Sequence, residues 1–172
     1  MLSDFNFVKL VIKEFLEQKH ILQRLEFIKR ERINDWEKWL QIELFHFMKN
    51  HHEIGKVERE KLYKCDRRKN YVKKSMYVDL IFRKKRARLD SYIQVELKCD
   101  VSFSKLFYGI ESDIKKVMSM RLSNDDGRSF WCIGFYTKVA EEENNFIVNK
   151  ISDYGYNFHG FTKNNAVGYI IV

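Results

Sequence analysis

Proline is absent from the 172 residues, and glycine occurs only seven times. The chain therefore has few hard breaks, and neither a Gly/Ser-rich linker nor an internal repeat divides it. Its three cysteines, Cys65, Cys99 and Cys132, share no CxxC or comparable ligand spacing. That argues against a disulfide framework and against a zinc centre, and fits a reducing compartment. No apolar run approaches the roughly 18 residues that span a bilayer, and Asp4 with the acid-containing segment after it argues against a secretory signal. A soluble, cytoplasmic protein without membrane contact is expected. There is no Gly-rich phosphate loop and no serine or cysteine nucleophile motif, which removes nucleotide-hydrolase and acyl-transfer chemistry.

What is present is apolar content and positive charge. At 45% hydrophobic residues the chain can bury one sizeable core, so residues 1–172 are expected to form a single domain. The formal charge of +8 favours a polyanionic partner, since phosphate neutralisation releases condensed counterions. Charge alone does not choose nucleic acid over an acidic protein or an anionic membrane surface.

From Ser3 to about Arg32, apolar residues recur at three- and four-residue steps through Phe7, Leu10, Val11, Phe15, Ile21, Leu25 and Ile28, predicting one or two amphipathic helices. Asn34 or Asp35 can cap a further helix through Trp36, Trp39, Leu40, Leu44, Phe47 and Met48, with a polar stop at residues 50–52. Three strands are expected near residues 57–64, 71–83 and 91–99, the last two forming a hairpin about a turn at 84–90. Helical spacing returns from Phe103 to Met120, and residues 130–136 form a buried strand. The order is α-β-β-β-α-β over residues 34–136, after a helical extension at 1–33. The tail, 137–172, holds a possible edge strand at 167–172.

Chemistry is concentrated in the predicted hairpin. Side chains at i and i+2 of a strand share a face, so Glu96 and Lys98 emerge together while Val95, Leu97 and Cys99 point to an apolar side. Charges on a core-like strand are costly unless paired, bound to metal or facing a cleft. Residues 79 and 96 are equidistant from the middle of the turn, so an antiparallel register brings Asp79 across from Glu96, within reach of one hard cation. Glu43 falls near the centre of its helix's apolar stripe, with Glu37 and Lys38 off it. Glu43 either looks into the same site or forms a structural pair with a nearby cation.

Other side chains are ambiguous. Lys73 and Lys74 before Asp79, and Arg83, Lys84, Lys85 and Arg86 at the turn, could clamp a nucleic-acid backbone, or simply solvate the hairpin. Tyr63, Tyr71 and Tyr77 could stack on bases, although aromatics alternating along strands are more often core. His46, His51 and His52 lack metal-ligand spacing and suit helix-end solvation or a dipole contact. Asp113 to Lys115 repeats the acid-x-lysine spelling but in a helix, where i and i+2 do not share a face.

The segments DWEKWLQIELFHF, VDLIF, IQVELK and GIESDIKKV, in that order, resemble the core of the PD-(D/E)XK, restriction-endonuclease-like nucleases. Val78 stands where the family pattern has proline. The resemblance implies a mixed central sheet flanked by helices, and a magnesium- or manganese-dependent endonuclease hydrolysing DNA phosphodiesters. It implies that Asp79 and Glu96, with the Leu97 carbonyl, ligate the metal. Lys98 would position or activate water, and Glu43 would be an accessory acid. An RNase and a catalytically inactive nuclease-fold binding module are the alternatives. The N-terminal apolar stripe suggests a homodimer or protein partner.

Overall fold

The computed structural model describes residues 1–64, 75–118, 127–138 and 144–172, apart from the side chain of Lys116. Cys65, Tyr71, Lys73 and Lys74 lie outside the described residues. Three helices come first: α1 (Leu2–Leu16), α2 (Lys19–Arg30) and α3 (Glu37–Asn50). Strands β1 (Ile54–Lys64), β2 (Ser75–Lys84) and β3 (Ile93–Asp100) follow, then α4 (Phe103–Met118) and β4 (Ser129–Tyr136). The chain closes with α5 (Asn144–Ile151), β5 (Phe158–Phe161) and β6 (Gly168–Ile171).

The protein is thus a mixed α/β fold with a six-stranded sheet in the order β1-β2-β3-β4-β6-β5. β3 and β4 run parallel, joined through α4, and the other neighbours are antiparallel. The α-β-β-β-α-β succession expected for residues 34–136 is present from α3 to β4.

Alternation along the strands sorts two cores onto the two sheet faces. Val95, Leu97 and Cys99 of β3 join Ile133 and Phe135 of β4 in the larger core, beneath α1, α2 and α3. Cys132 and Tyr136 face the other way, onto Phe103, Leu106 and Ile110 of α4 and Ile147 of α5. The N-terminal helices supply Val8, Val11, Ile12, Phe15, Ile21 and Leu25 to the larger core, all at most 1% exposed. Most of the N-terminal apolar stripe thus packs into this chain's own core, while Leu10 stays 41% exposed. Asp4, fully buried, ties α1 down by accepting from Arg128 at 2.7 Å and pairing with Lys84 at 3.3 Å.

Two local expectations differ from the structure. α3 begins after Trp36, with no side-chain cap bond, and neither Asn34 nor Asp35 occupies the cap position. Burying the Trp36 ring outweighs the roughly 1 kcal/mol a polar cap contributes. The 167–172 run is not an edge strand either: β6 lies between β4 and β5, all four residues buried, and the edge falls to β5. An unbroken apolar run suits a strand covered on both faces. Among the described residues, no helix is long and apolar enough to cross a membrane.

Candidate functional site

β2 and β3 form a fork. Their ladder runs through Phe82↔Ile93, Ile81↔Gln94 and Leu80↔Val95. The paired ladder ends there, one step short of Asp79 and Glu96, the two positions that symmetry about the turn was expected to set opposite one another. Beyond this point, β2 continues beside β1 and β3 beside β4.

The backbone is irregular where the strands part. The β1–β2 register passes from Arg59↔Leu80 to Lys61↔Val78, and Glu60 between them holds a left-handed φ of 50°. Leu80 and Phe82 point into the larger core, yet Met76 and Val78 share the opposite face with Ile81. The alternation therefore slips at Asp79. Such a slip re-aims a side chain, and here it turns the carboxylate into the gap between strands.

Amides that lose their strand neighbour need other acceptors, because an unpaired buried N–H costs about as much as a lost hydrogen bond. Leu97 N–H donates to Asp79 Oδ2 at 2.8 Å, and Cys99 N–H to Glu37 Oε2 at 2.9 Å. The opened edge of β3 is thus capped by two carboxylates. Within a strand residue N–H and C=O point the same way, so the Leu97 carbonyl lies on this edge as well. Gln41 Nε2 donates to Asp79 Oδ1 at 3.0 Å and to its main-chain oxygen at 3.1 Å. Gln41 Oε1 is held in turn by Lys38 Nζ at 2.9 Å and Arg59 Nη2 at 3.4 Å, and Lys38 also donates to the Glu60 carboxylate.

Lys98 completes the cluster. Its stem lies along Gly109 of α4, where an added Cβ would meet Lys98 Cδ and Cε at 3.2 Å. Its Nζ reaches Asp113 Oδ2 at 3.3 Å and Glu37 Oε2 at 3.8 Å, bridging α4 and α3 across the open edge. Burial alone would lower the Lys98 pKa, but Glu37, Asp113 and Asp79 together hold it above the ordinary lysine value. Burial raises the Glu37 pKa, Asp79 and Asp113 add to the rise, and Lys98 and the Cys99 amide oppose it. Glu96, 4% exposed, emerges from the same face of β3 as Lys98. Burial also pushes the Cys99 thiol well above its usual range, which makes it a poor nucleophile.

The remaining candidates are elsewhere. Glu43 is about 200° around α3 from Gln41 at 3.6 residues per turn, so the two cannot face one site. Its carboxylate lies 3.9 Å from His20 Nε2, in a cavity of about 370 Å³ between the N-terminal helices and α3. His46, His51 and His52 line the same cavity. His51 is buried rather than solvated: its Nδ1 accepts from Glu53 N–H, so Nε2 donates to Glu14 at 2.9 Å. Lys84 is engaged with Asp4 and Ser3, and Arg83 donates to the Ala87 carbonyl at 2.8 Å. Lys85 and Arg86 are exposed at the turn. This turn is the far end of the hairpin from Asp79, about 17 Å along β2 at ~3.3 Å per residue.

Three residues of the cluster escape sequence reasoning. Glu37 and Gln41 are one turn apart on the sheet-facing side of α3, and Asp113 is one turn beyond Gly109 on α4. A polar pair at i and i+4 beside Leu40 and Leu44 is the signal for the first two. The apolar stripe's centre, expected at Glu43, is displaced toward Gln41 because Trp39 and Phe47 are only partly buried.

As a cation site the fork offers oxygen donors: two carboxylates, each Asp79 oxygen using one lone pair on a hydrogen bond, and a main-chain carbonyl. Among the described residues, no group of three or more His, Cys, Asp or Glu could hold an ion on its own. Oxygen donors of this kind would suit a hard ion, which is commonly held by one or two carboxylates with water filling its other positions. Comparison with protein-family models, with curated proteins and with solved structures gives no match.

Proposed function

We propose that this protein is a metal-dependent nuclease of the restriction-endonuclease-like type, hydrolysing nucleic-acid phosphodiesters, DNA foremost, at the fork between β2 and β3. The observation that carries the reading is the convergence of Asp79 and Lys98, with Glu96 two residues from Lys98 on β3, where the two strands separate. The α-β-β-β-α-β order and the basic charge support it. The free, buried Cys99 suits a reducing cytoplasm.

Asp79, Glu96 and the Leu97 carbonyl would hold Mg²⁺ or Mn²⁺. When bound, such an ion polarises phosphoryl oxygens and lowers the pKa of water. The chain's own groups do the rest. Gln41 and the Leu97 amide hold the Asp79 carboxylate in one orientation, a preorganisation that spares reorganisation during reaction. Lys98, kept as an ammonium by its carboxylate neighbours, donates hydrogen bonds to the attacking water or the phosphate and offsets the charge that develops. It does not take the water's proton. Glu37, whose pKa burial raises, is the better placed group to receive one.

The test is cleavage of supercoiled plasmid, single-stranded DNA and RNA by wild type and Lys98→Ala, with Mg²⁺, Mn²⁺ or EDTA. Cutting that requires the metal and Lys98 supports the reading, and the preferred polymer separates DNase from RNase. Activity undiminished in Lys98→Ala would place the active site elsewhere, and inactivity on every substrate would favour a binding role.

A further inference from the structure

Past the fork, β1 and β2 run on as a two-stranded ribbon, Lys61–Lys64 paired with Val78–Ser75. One face is packed: Tyr63, Met76 and Val78 are buried and meet Val117 of α4. The other face presents Leu62 and Tyr77, direct register partners that are 52% and 58% exposed. Single exposed apolar residues are ordinary. A cross-strand pair, with Cβ atoms about 5 Å apart, forms a continuous apolar platform instead.

Three features define what fits this platform. First, it is out of phase with the face packed on α4, so it lies on the α3 side of the sheet, where Glu37 and Gln41 reach the fork. Second, Tyr77 is two residues from Asp79 on the same strand, about 7 Å. A base on Tyr77 therefore belongs to the stretch of nucleic acid that meets the fork at Asp79. Third, the ribbon itself carries positive charge: Lys61 and Lys64 are exposed on it, in a chain of formal charge +8. An aromatic platform within positive charge is the recognition chemistry of single-stranded nucleic acid, in which unpaired bases offer their π-faces.

We infer that the exposed face of the β1–β2 ribbon is a stacking platform for unpaired bases, Tyr77 and Leu62 supplying the surface, so that the substrate reaches the fork as a single strand. This inference rests on the nuclease reading for its purpose but not for its test.

Binding is measured by fluorescence anisotropy in EDTA, with a labelled oligothymidylate and a hairpin duplex, at fixed salt. The single strand is expected to bind more tightly than the duplex. Tyr77→Ala should weaken single-strand binding by roughly 5- to 150-fold, the range for one lost base stack. Tyr77→Phe should preserve it, and Leu62→Ala should fall between. Both side chains are exposed, and matching circular dichroism melts establish that the variants fold. Equal or tighter duplex binding, or single-strand affinity unchanged in Tyr77→Ala, overturns the inference. So does self-association by light scattering that Tyr77→Ala abolishes, since the platform would then seat a second copy. Tyr77-dependent binding without cleavage by any variant leaves the platform standing and removes the nuclease reading. Lys98-dependent cleavage with binding indifferent to Tyr77 does the reverse.

Discussion

The Asp79 carboxylate accepts the Leu97 amide at 2.8 Å across the gap where β2 leaves β3. A side chain thus replaces a strand, and the same bond that satisfies the opened backbone aims the carboxylate at the Leu97 edge. On the proposed nuclease reading, structural and chemical roles are therefore coupled at Asp79, and substitutions can separate them.

Asp79→Ala should destabilise the fold by about 1–3 kcal/mol, because the Leu97 amide and the Gln41 side chain lose their acceptor together. Asp79→Asn keeps one carbonyl acceptor and should cost less. Both should lower cleavage by about 10²-fold or more. Urea denaturation beside the plasmid assay measures the two effects, and equal stabilities for Ala and Asn would contradict the amide-capping role.

Gln41 and Glu43 stand two residues apart on α3 and should behave oppositely. Gln41→Ala removes the two hydrogen bonds that its amide donates to Asp79, leaving the one from the Leu97 amide, and should reduce stability by about 1–3 kcal/mol and slow cleavage. Glu43→Ala removes a 3.9 Å pair with an exposed His20, worth at most about 1 kcal/mol, and should leave cleavage unchanged. A larger catalytic loss in Glu43→Ala than in Gln41→Ala would reverse the assignment.

Gly109→Ala introduces a methyl at 3.2 Å from the Lys98 stem. Alanine improves helix propensity by up to about 1 kcal/mol, so the melting temperature should hold or rise. Displacing the ammonium from between Glu37 and Asp113 should nevertheless lower activity. A variant that retains full activity would show that the position of Lys98 is not critical.

Glu37 and Lys98 also predict signed pH effects. The Glu37 pKa is raised on folding, so the native state holds more protons than the unfolded chain and stability falls as pH rises from about 4.3 toward the folded value. Glu37→Gln keeps an acceptor for the Cys99 amide and should flatten that slope. The Lys98 pKa is raised too, so its contribution is complete below about 10.4 and is lost as pH climbs through the folded value. Lys98→Met should lose the corresponding alkaline decline. Denaturant midpoints measured across pH 4–11 for wild type and both variants give the two differences directly.

Periodicity carried a great deal of this structure. The helices, the hairpin and the β2–β3 register up to Leu80 and Val95 follow from apolar spacing and from symmetry about the turn. A period of two or 3.6 is a local property that a chain displays without its partners. The exposure of Tyr77 and the burial of Tyr63, by contrast, look alike in sequence. They differ because α4 covers only one face of the ribbon.

The same division runs through the candidate site. Glu96 and Lys98 are legible as costly charges on a core-like strand, and Asp79 as their cross-strand neighbour, because strand geometry is set by the backbone. That Glu37, Gln41 and Asp113 join them, and that Glu43 does not, depends on how far α3 and α4 are rotated about their axes against the sheet. Rotation is decided by the packing of Trp36, Leu40 and Leu44 below α3 and of Leu106 and Ile110 below α4. Those contacts come from strands distant along the chain, and a helix in isolation has no preferred face until the sheet supplies one.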